Sequence, residues 1–192
     1  MSENRVQRLS QAERPMNNPN LRPKDAATLL VLDRSGGGSP RVLMGRRHMR
    51  HRFMPGMFVF PGGRVDPADS RIPVTGSYHP EVARKLTHAM KAPRTEARAR
   101  AFTVAAVRET YEEAGLLVGT PSDLAWQGKD DMAAFSERRL LPDLTPIRLI
   151  ARAITPPRRP RRFDTRFLAV FCLLYTSDAA DDMQCVDPGG RR

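Results

Sequence analysis

The sequence predicts an α/β fold in which a mixed sheet is sandwiched against helices. Three observations carry this. Apolar runs of strand length recur at Ala26 to Leu32, Arg41 to Gly45, Met57 to Phe60, Pro146 to Ile154 and Arg166 to Phe171. Between the third and fourth of these, Ala101 to Ala114 has helical spacing, with Val104, Val107, Tyr111 and Ala114 on one face. Short connections rich in Gly and Pro separate the segments, as expected where strands and helices pack in layers.

Taken in order, Met1 to Lys24 is polar and rich in Asn, Pro and Arg, so a disordered basic tail is expected over residues 1–24. It lacks the apolar centre of a signal peptide, which points to a cytoplasmic protein. Residues 25–171 hold the folded domain. Ala26 to Leu32 reads as its first strand, and Gly36-Gly37-Gly38 as a loop into the second at Arg41 to Gly45. Met57 to Phe60 is a third, short strand that runs into Pro61-Gly62-Gly63. Ser70 to Arg100 carries four turn formers, Pro73, Gly76, Pro80 and Pro93, around an expected helix from Glu81 to Met90. After the helix ending at Ala114, Leu116 to Val118 continues in extended form, and Asp130 to Leu140 reads as another short helix. No internal repeat is present.

The densest chemistry lies at Arg108-Glu109-Thr110-Tyr111-Glu112-Glu113-Ala114-Gly115-Leu116. Glu109, Glu112 and Glu113 stand at i, i+3 and i+4 and share a helix face opposite the apolar stripe. Three like charges that close repel unless water, a cation or an arginine sits among them. Arg108 reaches Glu112 at i+4, and Gly115 suits the left-handed position that ends a helix. Hard oxygens of this kind suit Mg²⁺ or Mn²⁺. The plain alternative is a solvated acidic face.

Upstream, Phe60-Pro61-Gly62-Gly63-Arg64-Val65-Asp66-Pro67-Ala68-Asp69 ends a strand in a glycine loop and an acidic turn. Gly63, then Asp69, then Arg108 to Leu116 together resemble the signature of the Nudix hydrolases. In that signature a glycine and, after five residues, a glutamate precede the R-E-U-x-E-E-x-G-U box, U being bulky and apolar. Two departures stand out. Asp69 replaces the glutamate, and Ser70 to Arg100 is a 31-residue insertion within the motif. Thr110 occupies the apolar slot, one position before Tyr111.

Leu43-Met44-Gly45-Arg46-Arg47-His48, Arg52, Gly56 and Phe60-Pro61-Gly62-Gly63 resemble the motif that coenzyme A diphosphatases carry ahead of the box, with Met44, Gly45 and His48 departing from it. The aspartate at 69, the insertion and the Ile154 to Phe167 segment are similar to the peroxisomal-type branch and its bacterial relatives. The resemblance covers roughly Ala26 to Phe171.

It implies a Nudix-type α/β/α sandwich and metal-dependent cleavage of a diphosphate in a nucleoside diphosphate derivative, coenzyme A or acyl-coenzyme A foremost. Glu112, Glu113, Glu109 and the Gly62 carbonyl would ligate Mg²⁺ or Mn²⁺. Glu109 would be a further ligand or take a proton from water, and Arg108 would orient the cluster. Asp69, Gly63 and Gly115 would support the site, and Arg46, Arg47 and Arg52 would bind substrate phosphates. Two alternatives remain: a Nudix-fold binding or regulatory module without hydrolysis, and a hydrolase for another diphosphate such as NADH or ADP-ribose.

Composition bounds the partners. The 192 residues carry a formal charge of +11, with 28 arginines against 4 lysines. Guanidinium forks suit phosphates. A second basic block, Arg158, Arg159, Arg161, Arg162 and Arg166, joins the one before the glycine loop. A protein driven by RNA binding is a third class. Aromatic residues make up only 6%, and no aromatic-rich RNA-binding motif is present, which argues against it. A small-molecule substrate, no membrane partner and no nucleic acid are therefore expected.

Residues 172–192 stand apart. Cys172 to Asp181 resembles an in-frame reading of a transposon-type sequencing adapter, so this tail is expected to be non-native and the domain C-terminally incomplete. An ordinary terminal strand with an acidic end is the alternative. Both cysteines fall here, so the residues before them offer no disulfide framework.

Overall fold

The computed structural model describes residues 18–34, 39–46, 56–88 and 90–171. The expected disordered tail up to residue 17, the triple-glycine loop and the tail from Cys172 lie outside them.

The central sheet is mixed. Its long first strand, β1 (Lys24–Asp33), pairs antiparallel with β2 (Arg41–Val42) and, on the same side, with β5 (Gly62–Arg64). On its other side β1 runs parallel to β9 (Phe163–Phe171) over nine register pairs, from Lys24 opposite Phe163 to Leu32 opposite Phe171. β9 in turn pairs antiparallel with the edge strand β8 (Arg148–Ile154), with a register shift between Leu149 and Ala151. Two small ribbons complete the strands of the described residues: β3 (Gly45–Arg46) with β4 (Phe58–Val59), and β6 (Thr120–Pro121) with β7 (Leu140–Leu141). Alternation along β1 buries Ala27, Leu29 and Val31 and leaves Thr28, Leu30 and Leu32 half-buried.

Among the described residues, three helices accompany the sheet: α1 (Pro80–His88), α2 (Glu96–Ala114) and α3 (Ala133–Glu137). α2 is the long one. The Thr95 side chain accepts a hydrogen bond from the Arg98 amide at its start, and Gly115, at φ 67°, ends it by donating to the Tyr111 carbonyl. A β-carbon would be strained at that left-handed position.

Several boundaries differ from those expected. The predicted strand at Arg41 to Gly45 splits into β2 and β3, broken at Leu43 and Met44. β9 begins at Phe163 rather than Arg166, because β1 supplies partners that far back. The predicted helix from Asp130 to Leu140 reduces to a 3-10 turn over Asp130–Met132 and the short α3; Arg139 turns to φ 52°, and Leu140 and Leu141 enter β7 instead. α2 starts at Glu96, five residues before Ala101, so the end of the insertion is helical.

That insertion is built into the core. Val82, Leu86 and Met90 are buried with Phe102, Ala105 and Leu168 in one cluster. Tyr78 places its hydroxyl 2.6 Å from the Thr103 hydroxyl and 3.1 Å from the Ala99 carbonyl. Burial pushes the Tyr78 phenol above its usual range. With α1 packed beside it, α2 is buried all round from Ala101 to Val107, well beyond the single stripe that spacing suggests.

A buried ionic network ties the insertion to the sheet. Arg166, fully buried, lies over the Phe102 ring at 4.5 Å and pairs with Asp164 at 2.6 Å. Asp164 also binds Arg152 at 2.7 and 2.8 Å and has Lys91 at 3.7 Å. Arg98 pairs with Asp25 and donates to the Lys91 carbonyl. Arg166 is therefore a core residue and separates from the phosphate-facing block in which spacing had grouped it. On β8 and at the end of β9, Ile150, Ile154 and Phe171 are exposed.

Candidate functional site

β1 brings the two halves of the motif together. Gly62 and Gly63 pair with Thr28 and Ala27 on β1, and α2 crosses the sheet so that Glu109 and Glu113 meet the glycines. The Gly62 amide donates to Glu113 Oε2 at 3.2 Å. A methyl group on Gly62 would lie 2.5 Å from the Ala27 carbonyl oxygen and 2.6 Å from the Thr28 Cα, and one on Gly63 would fall inside the Glu109 carboxyl group. Close approach to the β1 backbone thus excludes a side chain at Gly62, whereas one at Gly63 would push the Glu109 carboxyl aside.

Arg108 is the hub. Its Nε lies 3.1 Å from Asp69 Oδ1, its Nη1 3.1 Å from Glu109 Oε1 and in contact with Glu112 Oε1, and its Nη2 donates to the Arg64 carbonyl at 3.1 Å. Burial by itself would lower its pKa, but the bonds to Asp69 and Glu112 and the surrounding carboxylates raise it, so it is a permanent cation. Asp69, only 2% exposed, sits on a 3-10 turn over Pro67–Arg71 and accepts the Asp66 amide at 2.7 Å. The 31-residue insertion therefore leaves Asp69 and Arg108 adjacent.

Two residues join the site that the motif did not single out. Asp66 lies 4.0 Å from Arg108 and 3.9 Å from Arg64, and the Arg64 carbonyl holds Arg108. The signal was present in Asp66-Pro67-Ala68-Asp69, an acidic residue before a proline with another three positions on, which is the pattern of a capped turn. Thr110, a weak match to an apolar slot, is fully buried because its hydroxyl donates to the Ala106 carbonyl at 2.7 Å.

Four carboxylates, Asp66, Asp69, Glu109 and Glu112, thus meet two guanidiniums, and Glu113 joins them through the Gly62 amide. Burial pushes Glu109 above the usual glutamate range; Arg108 opposes this, and the charges of Glu112 and Glu113 reinforce it. Such an excess of hard oxygen donors fits a divalent cation. Among the described residues, no three His, Cys, Asp or Glu side chains converge tightly enough to hold one. Glu112 is turned to Arg108 and Glu113 to the Gly62 amide, so a bound cation would compete with those two partners.

Of the predicted phosphate-binding arginines, Arg46 is exposed on β3, opposite Phe58 of β4. Arg47 and Arg52 lie outside the described residues.

One prediction follows from the glycine loop. Gly63→Ala is expected to displace Glu109 and lower turnover by about tenfold or more, since small misplacements at a reacting centre cost one to two orders of magnitude. Thermal melting, which should shift little, would be measured beside the rate. An unchanged rate would contradict the close approach.

No family model matches the sequence. Among solved structures, the chain is similar to the crystal structure of a Nudix hydrolase from Alicyclobacillus acidocaldarius. The identity is 30% and the TM-score 0.56, over 79% of this chain and 70% of that one. RenU, a Nudix hydrolase from M. smegmatis, is 16% identical with a TM-score of 0.34, over 82% of this chain and 68% of that one.

Proposed function

The chain belongs to the Nudix hydrolases, and from that premise we propose that it hydrolyses the diphosphate linkage of coenzyme A or acyl-coenzyme A with the help of Mg²⁺ or Mn²⁺. The observation that carries the chemistry is the meeting of Glu109, Glu112 and Glu113 with the Gly62-Gly63 loop around Arg108. The substrate reading rests on the Leu43 to Gly63 block, whose residues resemble the coenzyme A branch.

Glu112, Glu113 and the Gly62 carbonyl would hold the cation, with Glu109 as a further ligand or as the group that accepts a proton from water. The cation supplies charge neutralisation on the diphosphate oxygens and a lowered pKa for a bound water. Arg108 keeps the carboxylates fanned over the loop, and Asp69 fixes Arg108 through its Nε. Arg46, Arg47 and Arg52 would take the phosphate oxygens, as planar guanidinium forks do. Residues 25–171 form the catalytic domain in this reading, with 70–100 as an insertion in it and residues 172–192 as a non-native tail. No helix among the described residues is long and apolar enough to cross a membrane. The proposal takes the enzyme to be cytoplasmic and to act on small nucleotides.

Mass spectrometry of Mg²⁺-dependent reactions with coenzyme A, acyl-coenzyme A, NADH, ADP-ribose and nucleoside triphosphates tests the proposal. Coenzyme A should give adenosine 3′,5′-bisphosphate and 4′-phosphopantetheine. Efficient cleavage of NADH or ADP-ribose with coenzyme A untouched would move the substrate elsewhere in the family. Binding without cleavage of any of them would make the chain a non-hydrolysing module.

A further inference from the structure

The turn between β8 and β9 is an unusual surface. Thr155-Pro156-Pro157-Arg158-Arg159-Pro160-Arg161-Arg162 packs four arginines among three prolines, whose rings fix φ and leave little freedom to the backbone. Arg158 holds φ 58°, a conformation uncommon for any residue but glycine. The segment before β1 is fastened to this turn. Arg162 donates to Asn20 Oδ1 at 2.7 Å, to the Leu21 carbonyl at 2.6 Å and to the Thr155 carbonyl at 3.1 Å. Asn18 donates to the Arg158 carbonyl at 3.4 Å, and the Lys24 amide to the Arg162 carbonyl at 2.9 Å.

One arginine is thus spent on holding the two segments together, and the others remain. Arg158, Arg161, Arg22 and Lys24 are exposed. Neither segment contains an acidic residue between Asn18 and Lys24 or between Thr155 and Phe163. Arg159 is half-buried, and its Nη1 is enclosed without a hydrogen-bond partner among the described residues. A guanidinium N–H removed from water and left unmatched is costly, and an anion would satisfy it.

The position is informative as well. The Asp25 carbonyl accepts the Val65 amide at 3.0 Å, while Lys24 and Asp25 stand opposite Phe163 and Asp164. The arginine turn therefore lies at the same end of the sheet as the Val65-Asp66 exit from the glycine loop. At the usual spacing of neighbouring strands, crossing from β5 over β1 to β9 is a lateral step of roughly 10 Å.

We propose that the Thr155 to Arg162 turn, with Arg22 and Lys24, is an anion-binding site for a phosphate monoester, the second phosphate of a nucleotide whose diphosphate lies at the glutamate cluster. The assignment of the diphosphate to that cluster rests on the function proposed above. A terminal phosphate offers three oxygens to several forks at once, which a single carboxylate does not. Selectivity would then arise from where the substrate carries its extra phosphate rather than from its total charge.

The test compares adenosine 3′,5′-bisphosphate with adenosine 5′-diphosphate, which has the same number of phosphates differently placed. Calorimetric titration of the full chain at physiological salt should show the bisphosphate binding at least about tenfold more tightly. The exposed pair Arg158→Ser/Arg161→Ser, and separately Arg159→Gln, should erase that preference while leaving the melting temperature and the affinity for the 5′-diphosphate unchanged. Equal binding of the two nucleotides, or a preference that survives in the double variant, overturns the proposal. So does displacement of the bisphosphate by single-stranded RNA through the same arginines, which would assign the turn to nucleic acid. Because binding needs no turnover, the preference should persist in Glu112→Gln even if coenzyme A proves not to be cleaved. Failure of this site and failure of the substrate reading are thus distinguishable.

Discussion

Glu112→Gln and Glu113→Gln are each expected to lower diphosphate hydrolysis by about 100-fold or more while leaving the fold intact, because in the proposed function each would remove a charged oxygen ligand without changing side-chain volume. Both side chains are exposed near the end of α2, so unfolding free energies should move by no more than about 0.5 kcal/mol. The two variants should differ in one respect. Glu113 also accepts the Gly62 amide, so its replacement reaches the glycine loop, whereas Glu112 answers to Arg108. Rates measured across a Mg²⁺ titration decide the matter: a mutant that lost a ligand needs more metal and has a lower plateau. Wild-type Mg²⁺ dependence in both variants would remove these two carboxylates from the metal site.

The second large effect lies away from the site. Asp164→Ala leaves the fully buried Arg166 without its nearest partner, and breaking one side of a buried pair costs about 3–5 kcal/mol. For a chain of this size that corresponds to a fall in melting temperature of roughly 10 °C. Burial by itself would push the Asp164 carboxyl up, but the bonds from Arg152 and the charges of Arg166 and Lys91 outweigh it and hold it below the usual aspartate range. The unfolded chain therefore binds this proton more readily than the folded one. The associated stability is complete above the ordinary aspartate pKa and disappears as pH falls through the lowered folded value, below about pH 4. Acid unfolding curves should show a steeper loss in the wild type than in Asp164→Ala. Asp164→Leu/Arg166→Met, which removes both charges, should recover much of the lost stability. If the single and double variants are equally unstable, the network contributes through packing alone.

These two experiments probe features that differ greatly in how visible they are in the sequence. The acidic helix could be read because its information is local: Arg108, Glu109, Glu112, Glu113 and Gly115 lie within three turns, where helical geometry alone decides which side chains meet. The strand character of Ala26 to Leu32 was equally plain. The Asp25, Asp164, Arg166 and Arg98 network was not, since its members come from β1, β9 and the first turn of α2, and no periodicity relates them. Arg166 looked like one more surface arginine in a basic block, and only burial against Phe102 separates it from Arg161. The insertion was legible as an interruption but not as part of the core, because Val82, Leu86 and Met90 show their role only once Phe102 and Leu168 stand opposite. At the site, Asp69 next to Arg108 could be expected from the motif despite the insertion, whereas the Arg64 carbonyl had no side-chain signal to find.

The parallel pairing of β1 with β9 has a consequence for how the molecule comes into being. Its nine register pairs join strands far apart in the described sequence, so on a ribosome β1 emerges long before its principal partner exists. Until then only the short antiparallel contacts with β2 and β5 are available to an apolar strand. At ordinary synthesis rates the wait is about 10–30 s, far longer than the time hairpins need to form. Leu29, Leu30 and Val31 are therefore expected to stay uncovered on the nascent chain during that interval, when aggregation competes with folding. Slow refolding of the isolated protein, limited by closure of this one long loop, is the expected in vitro counterpart.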